Sequence, residues 1–153
     1  MEEYLPILRS LHALGVKLAV IGTWALKAYF PEKMRDYVLQ DCDLVLAPEE
    51  ANIRLAIAIL NQKSWTTTVW EEHVDAGTPS PEFVGKYYVR AKQANLVLDL
   101  TYECKLDWQQ MEAGIQWKLG LPLASLDNIV QLKRAKGLAS DFALLEMLDD
   151  KAE

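Results

Sequence analysis

Apolar residues recur at helical spacing over residues 3–14, where Tyr4, Ile7, Leu8, Leu11 and Leu14 share one face of "EYLPILRSLHAL". Pro6 sits in the first turn, where its ring is tolerated, and Gly15 ends the helix. "VKLAVIG" (16–22) is a short apolar run expected to be a buried strand; Gly22 and Thr23 are expected to turn the chain, and "WALKAYF" to form a second helix stopped by Pro31. Residues 32–40 are polar and loop-like. "CDLVLA" predicts the second strand. Pro48 opens a third helix, "EEANIRLAIAILNQ", apolar on one face and with Glu49 and Glu50 in its first turn. "WTTTVW" is β-branched and aromatic, which predicts a strand, and "DAGTPSP" a flexible loop. "FVGKYYVRA" and "NLVLDLTY" predict a hairpin turning near Lys92–Ala94. Residues 106–113 read as a short helix or loop, and Ile115–Leu119 as a further strand. The stretch "ASLDNIVQLKRAKGLASDFALLEML" predicts two helices, with Ser125 and Ser140 as N-caps and Gly137 as the break. The predicted class is α+β: a mixed sheet flanked by helices, ending in a helical pair. One domain over 1–153 is expected, with its core at about 16–104 and the helical tail at about 125–150.

Composition narrows this picture little. Half the chain is apolar and a quarter charged, as in ordinary globular domains. No apolar run approaches the roughly 18 residues of a membrane span. The start, "MEEYLPILRS", is acidic where a signal peptide would be basic. Cys42 and Cys104 have no metal-ligand spacing. The expected setting is the reducing cytoplasm. A net charge of −6 argues against stable non-specific nucleic-acid binding, which depends on neutralising phosphates. Cations gather locally at Lys86, Arg90 and Lys92, and again at Lys133, Arg134 and Lys136.

Two acids interrupt the pattern. Asp41 and Asp43 head the strand "QDCDLVL", although Asp is depleted in strands and a buried carboxylate without a partner is costly. Alternation puts both on one face, with Cys42, Leu44 and Leu46 directed to the core. Two close carboxylates repel unless a cation lies between them, and Mg²⁺, a hard ion that prefers oxygen ligands, suits the pair. Asp99, inside "LVLDLTY", shares a face with Val97 and Thr101. If its strand lies beside the first, three carboxylates converge in an arrangement able to hold two divalent ions for in-line phosphoryl displacement. The two histidines, His12 and His73, have no partner spacing for metal or triad chemistry. Trp65, Trp70, Tyr87 and Tyr88 are aromatics on predicted strands, where packing is the commoner role and an acceptor platform the alternative.

"AVIGTWALKAYF", "QDCDLVL" and the later "LVLDLTY" together resemble the polymerase-beta-type nucleotidyltransferase superfamily: a strand, a Gly turn into a helix, Asp-x-Asp on the next strand and a lone Asp further on. The pattern "GTWALKAYF…R…DCDLVL" is most similar to the small bacterial antibiotic (lincosamide or aminoglycoside) nucleotidyltransferases. The helical tail resembles the end common in bacterial members, with Lys133 and Asp141 at the recurring Lys and Asp. The resemblance covers roughly residues 16–148. It implies a nucleotidyltransferase-like sheet and a Mg²⁺-dependent enzyme that moves a nucleoside monophosphate from a nucleoside triphosphate to a hydroxyl of a small acceptor. It implies that Asp41, Asp43 and Asp99 are the catalytic and metal-holding acids. The triphosphate would rest on Gly22, Thr23 and Trp24, through close backbone approach and the helix N-terminus. Lys133, with Lys136 or Arg35, would neutralise the departing pyrophosphate. A homodimer enclosing the acceptor is a further implication. Two alternatives stay open: a toxin–antitoxin-type member that modifies a protein or tRNA, and a catalytically inactive binding member, whose three acids would lie too far apart to share a metal.

Overall fold

The period-two segments assemble into one eight-stranded mixed sheet, in a computed structural model that describes residues 1–150 other than Val84, Tyr87 and Lys105. A 3₁₀ turn (Glu2–Tyr4) leads into α1 (Leu5–Ala13). β1 (Leu18–Ile21), α2 (Gly22–Tyr29), β2 (Cys42–Leu46), α3 (Glu50–Gln62), β3 (Thr66–Val69) and β4 (Glu72–His73) follow. After a 3₁₀ turn at Ser80–Glu82 come β5 (Tyr88–Gln93), β6 (Leu96–Thr101), α4 (Trp108–Ala113), β7 (Gln116–Lys118), β8 (Leu121–Leu123), α5 (Leu126–Lys136) and α6 (Ala139–Asp150). The strand order is β4-β3-β5-β6-β2-β1-β8-β7. β2 runs parallel to β6 and antiparallel to β1, and β1 runs parallel to β8. Among the described residues the class is therefore α+β, with six α-helices around a mixed sheet.

The centre and the β3–β5 wing of the sheet are solvated differently. Leu18, Ala19 and Val20 are all buried, as expected of a strand covered on both faces. In the wing, Thr67, Val69, Val89 and Ala91 are buried, whereas Thr66, Thr68, Tyr88, Arg90 and Lys92 keep exposure. That alternation marks a sheet with one wet face. α3 packs on α1 and β3; α2 packs on β1, β2 and α5; α6 leans on α5. Buried Asn52 of α3 serves as a side-chain rung: its Oδ1 accepts from the Lys17 amide at 2.8 Å, and its Nδ2 donates to the carbonyls of Lys17 and Ala47 at 2.9 and 3.0 Å. These bonds tie the entry of β1 to the exit of β2, and without Asn52 the carbonyl of fully buried Ala47 would lose its partner at a cost of about 1–3 kcal/mol.

Several boundaries differ from the sequence expectation. α2 starts at Gly22 rather than Trp24, so the expected turn is folded into the helix start. Ser125 caps α5, its Oγ accepting from the Asn128 amide at 3.1 Å, and Gly137 closes it at φ +70°. Ser140 is not an N-cap. It is the second residue of α6, and the Leu138 carbonyl accepts from the amides of Asp141 and Phe142. Residues 108–113 form a helix, capped by Asp107, whose Oδ1 accepts from the Gln110 amide at 2.8 Å. β8 had no counterpart in the expectation. The hairpin turns at Ala94–Asn95, later than expected. Of the strand expected from Phe83, Val84 and Tyr87 lie outside the described residues; Phe83 itself follows the 3₁₀ turn and is buried. No described helix is long and apolar enough to cross a membrane.

Candidate active site

Parallel pairing of β2 with β6 sets Asp43 directly across from Asp99. Asp41 is the residue just before β2, one pleat away on the same face. One carboxylate oxygen from each of Asp41, Asp43 and Asp99 lies within 4.8 Å of the others. The three acids expected to converge are thus brought together, which is not the spacing expected of a metal-free binding member. Burial is the main force raising the Asp43 carboxyl to about 6, with the Asp41 charge adding to it and Lys136 opposing. Burial also raises Asp41, reinforced by the charge of Asp99 and countered by Lys136 and Arg90. The three convergent carboxylates form a donor set that fits a hard divalent cation, since a cation between them offsets the cost of ionising Asp41 and Asp43.

The strand-to-helix junction is shaped around Asp43. Ile21 pairs with Asp43 across β1 and β2. Gly22 follows at φ +70°, in the left-handed region that glycine occupies without penalty. A Cβ on Gly22 would lie 2.7 Å from Asp43 Oδ2. Conformation and space therefore both demand glycine, and the α2 N-terminus is held next to the acids. Thr23 and Lys133 meet there. Lys133, 7 % exposed, donates from Nζ to Thr23 Oγ1 at 3.0 Å and to Asp141 Oδ1 at 2.9 Å. The ammonium ties the helical tail to the start of α2, and Asp141 compensates its burial.

The other residues singled out in the sequence divide. Trp24 is fully buried, and its Nε1 donates to the Met1 carbonyl at 3.2 Å; only its backbone belongs to the helix N-terminus. Arg35 is not drawn to the acids: its side chain is 74 % exposed and faces Glu32 at 3.9 Å. Its loop is held instead by Lys27, whose Nζ donates to the carbonyls of Arg35 and Tyr37 at 3.4 and 2.7 Å. Cys42 is buried, and Cys104 is half-buried. His12 packs at a tilt against Trp117, with ring centroids 5.2 Å apart. Trp65 packs in the core, while Trp70 does not. A cavity of about 520 Å³ opens beside Asp43, lined by Ile21, Thr101, Cys104, Leu132 and Lys136 among others.

Sequence reasoning noted Arg90 only as one of several clustered cations. In the sheet it sits directly across from Asp99, and its guanidinium holds that carboxylate at two points: Nε to Oδ1 at 2.8 Å and Nη2 to Oδ2 at 3.1 Å. Those bonds raise the Arg90 pKa further above its ordinary value, against the effect of desolvation. The signal that would have found it is the hairpin register, because moving the turn by a residue or two changes the partner of Asp99. No family model matches the chain, and no curated protein matches it.

Proposed function

We propose that this protein is a Mg²⁺-dependent nucleotidyltransferase that moves a nucleoside monophosphate from a nucleoside triphosphate to a hydroxyl of a small acceptor. The observation that carries the reading is the cluster of Asp41, Asp43 and Asp99 on one sheet face, beside a glycine turn into a helix. The resemblance of these segments to polymerase-beta-type nucleotidyltransferases supports it. Asp41, Asp43 and Asp99 would hold Mg²⁺, which when bound neutralises phosphate charge and aligns an in-line attack.

The chain's own groups do the rest. Gly22 lets the backbone approach a phosphate, and the amides opening α2 favour its negative charge. Lys136, in the cavity beside Asp43, meets the triphosphate, and Lys133 adds positive charge behind Thr23. The acceptor oxygen bonds to the α-phosphorus as the bond to the β-phosphate oxygen breaks, and pyrophosphate leaves. Asp99 takes the acceptor proton on a carboxylate oxygen, while Arg90 fixes the orientation of that carboxylate. Calorimetry with ATP or GTP and Mg²⁺ tests the reading. Binding that is lost in Asp41→Ala is expected; no binding at millimolar nucleotide, or binding indifferent to that substitution, removes it.

One observation favours a second reading, a binding member without catalysis: Arg90 already engages both oxygens of Asp99. A Mg²⁺ titration of Asp99→Asn by calorimetry separates the two. Weakened Mg²⁺ binding in that variant favours the enzyme. Binding unchanged from the parent chain favours the binding member.

A further inference from the structure

The wet face of the β3–β5 wing continues the face that carries the acids. Register places Thr68, Arg90, Asp99 and Asp43 in one row across four strands, and Thr66 beside Lys92 in the next. Thr66, Thr68, Trp70, Tyr88, Arg90 and Lys92 line a groove of about 380 Å³, with Glu71 as the acid among its lining residues. This groove holds features that the fold does not need. Trp70 is 55 % exposed, so it gives the core little. It also sits with Glu71 in a two-residue turn between β3 and β4, at φ 48° and 69°. The left-handed region is a strained conformation for a bulky side chain, costing on the order of 1–3 kcal/mol. Lys86 packs on the indole, 4.3 Å from the ring centroid, but lines a neighbouring cavity rather than this one. Arg90 gives Nε and Nη2 to Asp99 and, among the described residues, leaves Nη1 without an acceptor.

We infer that this groove binds a small phosphorylated compound that also carries a ring. Lys92 and the remaining Arg90 nitrogen supply donors for a phosphate, and Trp70 and Tyr88 supply faces on which a ring can stack. The volume suits one nucleotide-sized molecule. The net charge of −6 opposes a polyanion, so the occupant is a free small molecule rather than the end of a nucleic acid. That the occupant is the hydroxyl acceptor rests on the function proposed above; the binding itself does not. The cations bear on specificity: a polycationic acceptor of the aminoglycoside kind meets repulsion at Arg90 and Lys92, and an anionic one meets attraction.

Amide chemical-shift mapping of the ¹⁵N-labelled chain tests this. The probes are uridine 5′-monophosphate, uridine and a six-residue RNA, each added after a saturating α,β-methylene analogue of ATP with Mg²⁺. Shifts centred on Thr66–Trp70 and Tyr88–Lys92 are expected with uridine 5′-monophosphate. Affinity should fall at least about tenfold for uridine, and as much in Lys92→Glu and, more mildly, in Lys92→Ala, whose spectra also report that the fold is intact. Equal affinity for uridine and its phosphate, no effect of either Lys92 substitution, or shifts centred on Gly22–Trp24 overturns the inference. Tighter binding of the RNA overturns its small-molecule assignment. Failure of the ATP analogue to bind overturns only the proposed reaction, because the uridine 5′-monophosphate shifts on β3 and β5 are read independently.

Discussion

Two halves of one sheet face carry opposite chemistry. On β2 and β6, side chains converge as anions: Asp41, Asp43 and Asp99. On β3 and β5, at the same level of the sheet, they are hydroxyls, aromatics and cations. The seam is a single cross-strand pair, Arg90 with Asp99. Each half is costly alone, one by burial and mutual repulsion of carboxylates and the other by an aromatic turn in a strained conformation. The lesson is that one face of a sheet can gather polar groups in conflict while the other packs. The opposite face of these strands, with Cys42, Leu44, Val89, Ala91, Leu98 and Leu100, has no such conflict and simply packs.

The sharpest way to break the comparison is within the acidic half. Asp43→Asn should lower transfer activity by at least about a thousandfold while leaving the fold intact, read as turnover of labelled nucleoside triphosphate against circular dichroism. The same group gives a pH effect of up to ~3 kcal/mol. The folded protein holds the Asp43 proton more tightly than the unfolded chain, so its stabilising contribution is full below about pH 4 and is lost as pH rises through about 6. Urea denaturation in chelator should show this loss between about pH 4 and 7, and its absence in Asp43→Asn. Gly22→Ala should cost about 1–3 kcal/mol in the same assay, since the methyl group meets Asp43 Oδ2 in a left-handed backbone. Arg90→Leu cuts the seam. With Arg90 42 % and Asp99 13 % exposed, solvent screening limits the loss to about 1–2 kcal/mol. Arg90→Lys should restore only part of it, because a lysine cannot make the two-point contact. Lys92→Glu, in the cationic half, should change stability by no more than about 0.5 kcal/mol; a larger loss would make that half structural.

Much of this was legible in the chain because local rules and tertiary packing agree. Alternation exposed β5 and β6, Ser125 and Gly137 bounded α5, and the Asp41–Asp43 pair with Asp99 stood out against apolar strands. What escaped was set by long-range pairing. β8 is three residues with Pro122 at its centre, and proline argues against a strand; it becomes one by lying between β1 and β7. Ser140 looked like a cap because serine favours that position, but helix geometry after Gly137 let Leu138 supply the first carbonyl. Arg90 was invisible as the partner of Asp99 because an Ala94–Asn95 turn carries no strong signal for register. Arg35 was singled out only by the resemblance, and in the fold Lys27 tethers its loop while its side chain faces water.

The sheet's outermost strands are short: two residues in β4 and three in β7. An outer strand of that length offers few free backbone groups, and β4 consists of Glu72 and His73. A second copy, or a stray extended peptide, therefore finds almost no ladder to prolong at either border. The rows of groups across its face therefore keep a fixed width.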